Sequence, residues 1–238
     1  MSASTGITGI PGSGNGQSAP DWRQSHWLAF AEFALVGLVF FLDSRHLIPL
    51  SKTPFLLALA WTSLRVRGLK WRDVGLSRYR NWKLTVAIGI LAGALSESFQ
   101  LSITQPLLAT LTGKQPDLDL FQALRGNLKW TLIVVAFSWT LAAFGEEMVW
   151  RGYLMSRVAG LGNRTRLAWI CSLLTVNAVF GLAHSYQGAT GVIEEGFAGI
   201  LLGLLYLGFG NLAIPIISHG MQDTIDALLI FVGKFPGM

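Results

Sequence analysis

The sequence has few charged residues and almost no cysteine. Asp, Glu, Lys and Arg make up only 13% of its 238 residues, whereas soluble domains usually carry about 25%. A soluble enzyme is therefore disfavoured. The single cysteine, Cys171, excludes an intrachain disulfide and a cysteine metal cluster. Abundant Leu, Val, Ile and Phe exclude a largely disordered protein.

The sequence also lacks the motifs of two common protease classes and of a secreted protein. It contains no His-Glu-x-x-His zinc motif and no Gly-x-Ser-x-Gly turn for a nucleophilic serine. Residues 1–22 have neither the basic start nor the apolar stretch of a signal peptide. Their Gly, Ser, Thr and Pro content predicts a disordered tail, followed by a single integral-membrane domain over 23–238.

Apolar residues dominate the rest of the chain: 52% of all residues are hydrophobic and the mean hydropathy is +0.50. A membrane-spanning helix needs about 20 mostly apolar residues. Seven stretches approach or meet this requirement, and they lie near 27–43, 49–65, 84–111, 128–145, 167–186, 191–209 and 212–232. An eighth stretch, 146–160, is amphipathic. The pattern predicts an all-α, polytopic membrane helix bundle of seven to eight transmembrane helices.

The basic residues are concentrated in one loop between two of these stretches. Seven of the 18 Lys and Arg residues lie between Arg65 and Lys83, opposed only by Asp73. Such an excess of positive charge marks a cytoplasmic loop near anionic lipid. It favours membrane lipids over nucleic acid as partners. Without a signal peptide, the chain suits a bacterial plasma membrane, and an endoplasmic reticulum membrane is the alternative.

Ionisable residues inside apolar stretches form three groups. An acid or base at mid-helix costs about 2.5 to 3.5 kcal/mol on insertion scales, so such residues are functional candidates. The first group is Glu146, Glu147 and Arg151, the second is Phe180 with His184, and the third is His219 with Asp223.

Helix geometry separates the two adjacent glutamates. Glu147 precedes Arg151 by four residues, the favourable spacing and order for an intrahelical ion pair. Glu146 is rotated about 100° away and faces another helix. If Asn163 to Arg166 form the tip of a helical hairpin, Glu146 and His184 lie at the same depth. This requires a continuous helix from Glu146 to the tip, and Gly145 is an alternative point of interruption.

A pocket lined by these groups has the components for peptide hydrolysis. A carboxylate and an imidazole with a water between them form a general-base site. A second imidazole and an opposing polar side chain can stabilise an oxyanion.

The three groups, in their order along the chain, resemble the motifs of the CPBP family of intramembrane proteases. This family comprises CAAX proteases and bacteriocin-processing enzymes and is also called ABI. Its pattern Glu-Glu-x-x-x-Arg, Phe-x-x-x-His and His-x-x-x-Asn or Asp is matched within residues 130–232. Three ordered motifs are far more specific than any one alone.

The resemblance implies a role for each motif residue. Glu146 would be the general base and His184 would orient the water, while His219 and Asp223 would stabilise the oxyanion. Glu147, Arg151 and Phe180 would support them by pairing and packing. The last position of the third motif is Asn in some members and Asp223 here. Unlike an Asn, an ionised Asp cannot donate a hydrogen bond. Asp223 would then be protonated or would orient His219.

The resemblance implies an endopeptidase that acts on a peptide or membrane protein without a cofactor. Zinc is the alternative, because one Glu, two His and one Asp can ligate it. Two other functions compete with proteolysis. One is a membrane scaffold or bacteriocin immunity factor that binds peptides without cutting them, and the other is a proton-coupled transporter. The clustering of the motifs in the C-terminal half, without an inverted repeat, disfavours the transporter.

Overall fold

The computed structural model describes residues 21–49, 51–77, 79 and 81–236, and these residues contain helices and no strand. Residues 1–20, most of the predicted tail, lie outside the described residues. The longer helices are α1 (His26–Ser44), α2 (Thr53–Val66), α3 (Trp82–Thr112), α4 (Leu128–Leu161), α5 (Arg166–Leu182), α6 (Gly188–Phe209) and α7 (Ala213–Phe231).

Short 3-10 turns occur between or before these helices. They cover Asp21–Gln24, Trp71–Val74, Asp119–Leu124 and Ser185–Gln187.

Local sequence signals set the ends of several helices. The side chains of Asn81, Asn127 and Thr165 each accept a hydrogen bond from a backbone N–H in the first turn of the helix that follows. Gly113 and Gly210 end α3 and α6 in the left-handed conformation that favours glycine. Residues 113–127 thus separate the two helices that correspond to the apolar stretches 84–111 and 128–145.

The all-helical membrane bundle predicted from the sequence is confirmed. Four of the described helices are long and apolar enough to cross a membrane: His26–Ser44, Trp82–Thr112, Leu128–Leu161 and Ser185–Phe209, the last counted with its preceding turn. Helix α2 has only 14 residues, which is short for a span of about 20 residues.

Helix α4 is continuous through Gly145. Its 34 residues extend for about 50 Å, well beyond the roughly 30 Å of a bilayer core. The amphipathic stretch 146–160 is therefore the second half of this helix and not a separate span. Two segments of wide π-helical turns, Ser138–Glu146 and Met148–Leu154, lie on either side of Glu147.

The predicted hairpin between α4 and α5 is also present. Asn163 and Arg164 adopt positive φ angles of 54°, and Thr165 caps the returning helix. Because the helix from Glu146 to this tip is uninterrupted, the condition for placing Glu146 and His184 at similar depth is met.

Glycines allow two pairs of helices to pack closely. On α3, a Cβ atom added at Gly93 would collide with the carbonyl oxygen of Ser218 on α7, and one at Gly89 would lie 2.6 Å from Ile217. On α6, one added at Gly203 would collide with Leu173 of α5. These contacts bring α7, which carries His219, against α3.

We expect Gly93→Ala to destabilise the protein by about 1 to 3 kcal/mol, because the added methyl group has no room beside Ser218. Gly37→Ala is the matched control, since it also lies within a helix and has nothing within 4 Å of the added Cβ. Thermal unfolding in detergent should show a lower midpoint for Gly93→Ala only. Equal midpoints for the two variants would contradict the close packing of α3 on α7.

Candidate active site

A buried ion pair lies at the centre of α4. Arg151 donates from Nη1 to Glu147 Oε1 at 2.6 Å, and both side chains are 0% exposed. Arg151 Nη2 donates to Asn177 Oδ1 at 3.2 Å and to the carbonyl oxygen of Gly199 at 3.1 Å. The pair predicted from the i,i+4 spacing is confirmed, and it also connects α4 to α5 and α6.

Glu147 has a second partner that the sequence analysis did not predict. His219 Nδ1 lies 2.9 Å from the same oxygen, Oε1, that accepts from Arg151. One buried carboxylate therefore joins the first motif to the third. Since Nδ1 faces a carboxylate, it carries the proton, and the orientation of the imidazole is fixed.

The ring of Phe180 lies among the motif residues. It is 1% exposed, and its centroid lies 4.7 Å from that of His184 and 6.4 Å from that of His219. The guanidinium carbon of Arg151 lies 4.5 Å from the ring centroid, in the range of a cation–π contact. Phe180 thus packs against both imidazoles and the ion pair, as expected of a supporting residue.

A backbone hydrogen bond orients the second histidine. His184 Nδ1 lies 2.8 Å from the carbonyl oxygen of Phe180. Because a carbonyl only accepts, Nδ1 carries the proton. In the neutral imidazole, Nε2 then keeps its lone pair for another hydrogen bond.

Asp223 lies one turn beyond His219 on α7. Its Oδ1 is 3.6 Å from His219 Nε2, within ion-pair range but too long for a hydrogen bond. Ser138, in the first π-helical segment of α4, lies next to Asp223. This places the carboxylate beside the outer nitrogen of His219.

Glu146 differs from its neighbour in its contacts. The side chain is half-buried, and no hydrogen bond or ion pair joins it to another described residue. It lies within electrostatic range of Arg151, His219 and Asp223. The structure therefore brings Glu146 near the third motif, with no direct hydrogen bond between Glu146 and His184.

A small cavity opens beside these groups. The volume of this cavity that water can occupy is about 30 Å³, which is enough for roughly two water molecules. The lining residues are Glu97, Gln100, Phe180, Glu195, Ala198, Leu202, His219, Gln222, Asp223 and Asp226. His219 and Asp223 of the third motif thus face a space that can hold water.

A zinc site would need several His, Cys, Asp or Glu side chains grouped around one point. In residues 21–49, 51–77, 79 and 81–236, no group of three or more His, Cys, Asp and Glu side chains is arranged to hold a metal ion. The zinc alternative does not fit this arrangement, and the absence of a cofactor stays a prediction.

Three further residues contribute to the site although the sequence analysis passed over them. Asn177 is a neutral polar residue in an apolar helix, so it carries no charge that would mark it in the sequence as a site residue. Gly199 supplies a carbonyl oxygen to Arg151 and leaves room that a Cβ would fill. Trp139 packs against Gly220 and donates from Nε1 to Thr224 at 3.0 Å, which fixes α7 next to His219.

We expect Glu147→Gln to destabilise the protein by about 3 to 5 kcal/mol, because it leaves the buried Arg151 without its counter-charge. Glu146→Gln is the matched control: the same change one residue earlier removes no hydrogen bond and should alter stability by less than about 0.5 kcal/mol. The measurement is the thermal unfolding midpoint of each variant in detergent. If both variants lowered the unfolding midpoint equally, the conclusion that only Glu147 stabilises the fold would be wrong.

Comparison with known protein families agrees with the motifs. Residues 128–225 match the family model described as "Type II CAAX prenyl endopeptidase Rce1-like". No curated protein and no solved structure matches the chain. The matched segment runs from the start of α4 into α7 and contains all seven motif residues. The resemblance to the CPBP family is thus confirmed over residues 128–225, which are similar to the Rce1-like type II CAAX prenyl endopeptidases.

Proposed function

We propose that the protein is an intramembrane endopeptidase that hydrolyses a peptide bond with a water molecule activated by Glu146 and His184. One observation carries the proposal. Arg151, His184 and His219, one from each motif, surround the ring of Phe180. Phe180, His219 and Asp223 also line a cavity that can hold water. They do so within the segment that matches the CAAX protease family.

Glu146 has the properties of a general base. Its carboxylate is half-buried and is not engaged by any other described side chain, so its oxygens are available to water. His184 offers the lone pair of Nε2, because Nδ1 is held by the carbonyl oxygen of Phe180. In this mechanism, Glu146 takes a proton from the water as the water oxygen attacks the scissile carbonyl carbon. The same proton then passes to the leaving amine.

His219 is suited to stabilise the oxyanion. Glu147 accepts from Nδ1, so the outer nitrogen, Nε2, can donate to a developing negative charge when the ring is protonated. A buried carboxylate behind the ring also stabilises the imidazolium form. Asp223, 3.6 Å from Nε2, then acts as a positioning residue for His219 and not as a donor when it is ionised.

The proposed steps use only side chains of this chain and water. No step is assigned to zinc, because the described His and acidic side chains do not form a metal-binding group. The expected substrate is a peptide or membrane protein, and no residue in the site indicates a prenyl group. The basic loop and the apolar helices suit the plasma membrane of a bacterium.

We expect Glu146→Gln to fold and to lose cleavage activity by a factor of about 100 to 10,000, the usual contribution of a general base. The purified wild type and variant are each incubated in detergent with a mixture of peptides and membrane proteins, and new termini are identified by mass spectrometry. Termini produced by the wild type alone would support the mechanism.

Two controls accompany this experiment. Asp119→Asn changes an exposed acid outside the cavity and should cleave like the wild type. Cleavage by the wild type should also persist after treatment with a metal chelator. Equal cleavage by wild type and Glu146→Gln would refute the assigned base. No cleavage by either would favour the peptide-binding scaffold or immunity factor.

Asp223→Asn should retain activity within about tenfold of the wild type, because an amide can still contact His219 and can donate to the oxyanion itself. Asp223→Leu, of similar size, has neither property and should lose activity by a factor of about 100 or more. The comparison is made on kcat/KM with a cleaved peptide. If Asp223→Asn were as inactive as Asp223→Leu, the negative charge of Asp223 would be the essential property.

A further inference from the structure

One wall of the cavity carries three acceptor oxygens that have no hydrogen-bond partner. These are Glu97 Oε1, Gln100 Oε1 and Asp226 Oδ1, and all three atoms are buried. Glu97 and Gln100 come from α3, and Asp226 comes from α7. The Glu97 side chain is only 1% exposed. Buried acceptors without partners are costly, so this wall is suited to a ligand that donates hydrogen bonds.

The surroundings of these oxygens are acidic and lack a matching cation. Glu97 and Asp226 lie against each other, so two acidic groups that no N–H or O–H of the surrounding protein contacts share one small space. Glu194 lies next to Gln100, and Glu195 accepts a hydrogen bond from Gln187. Among the described residues, no Lys or Arg nitrogen lies within 4.0 Å of these four carboxyl groups.

We propose that this wall binds the ammonium group of a substrate lysine, so that the enzyme cuts peptides with a Lys close to the scissile bond. The inference rests on the proposed proteolytic function and names its substrate class. An ammonium group has three N–H donors, one for each unpartnered oxygen. It also supplies the positive charge that the carboxyl groups lack.

Size and geometry favour a lysine over other cations. The cavity admits about 30 Å³ of water, which suits a compact ammonium group better than the larger planar guanidinium of arginine. A metal ion is disfavoured because the described acidic side chains are not arranged as a metal-binding group.

The distance along α7 limits where the lysine lies in the substrate. Asp226 follows His219 by seven residues on the same helix, a separation of about 10 Å along the axis. An extended peptide covers this distance in about three residues. We therefore expect the lysine within three residues of the cleaved bond.

The first test measures binding without requiring cleavage. The full-length protein in detergent is heated with n-butylammonium chloride, and tetramethylammonium chloride and sodium chloride at equal concentration are the controls. n-Butylammonium alone should raise the unfolding midpoint, by about 3 °C near saturation. The rise should disappear in a Glu97→Gln/Asp226→Asn double variant and persist in Asp119→Asn. A rise with all three salts, or none with n-butylammonium, would overturn the ammonium site.

The second test measures specificity on peptides whose cleavage sites are known from the mass-spectrometry experiment. Each Lys within three residues of the cut is replaced by norleucine, which keeps the apolar stem, or by Arg. We expect kcat/KM to fall on the order of 100-fold with norleucine. In the double variant, the ratio of Lys to norleucine kcat/KM should fall to about one. Because both kcat/KM values are measured with the same variant, a general loss of activity cancels in this ratio.

The outcomes separate the two proposals. A wild type that is stabilised by n-butylammonium but cleaves nothing would refute the proteolytic function and keep the ammonium site. A wild type that cleaves Lys and norleucine peptides equally would overturn the lysine specificity and keep the protease. Should the double variant not fold, Gln100→Met removes one acceptor without changing a carboxyl group, and it should reduce both the thermal shift and the Lys preference.

Discussion

The buried ion pair between Glu147 and Arg151 is the interaction on which the rest of the structure depends. A guanidinium inside an apolar bundle is tolerated only when a nearby negative charge balances it. Arg151 reaches Glu147 on its own helix, Asn177 on α5 and the Gly199 carbonyl on α6. Glu147 in turn accepts from His219 on α7. Four helices are thereby held in one arrangement, and the contact that stabilises the fold also orients a site residue.

The wide turns of α4 are part of the same arrangement. π-helical turns are rare and often occur at functional sites, because their hydrogen bonds are less favourable than those of an α-helix. Here they lie on both sides of Glu147, over Ser138–Glu146 and Met148–Leu154. The first segment carries Ser138 and Trp139, which contact Asp223 and Gly220 on α7. Contacts with a neighbouring helix thus offset the weaker hydrogen bonding of the turns.

The sequence predicted what depends on local spacing and missed what depends on packing between helices. The i,i+4 pair of Glu147 and Arg151 and the hairpin near Asn163 follow from short-range geometry, and both are present. The bond between Glu147 and His219 joins residues 72 positions apart. Periodicity defines the faces of each helix, but it does not fix how two helices rotate against each other.

The two adjacent glutamates show how one helix can support both structure and chemistry. Glu147 pairs with Arg151 and His219 and is 0% exposed, and it does not line the cavity, so its carboxylate is held in the fold and away from water. A rotation of about 100° per residue takes the preceding carboxylate, Glu146, away from both partners.

The cavity wall that carries Glu97 and Asp226 adds a constraint on the substrate. Carboxyl groups at Glu97 and Asp226 oppose the approach of a chain-terminal carboxylate and favour an internal segment with a cationic side chain. The same charge distribution thus agrees with an endopeptidase and with the lysine that we propose it recognises.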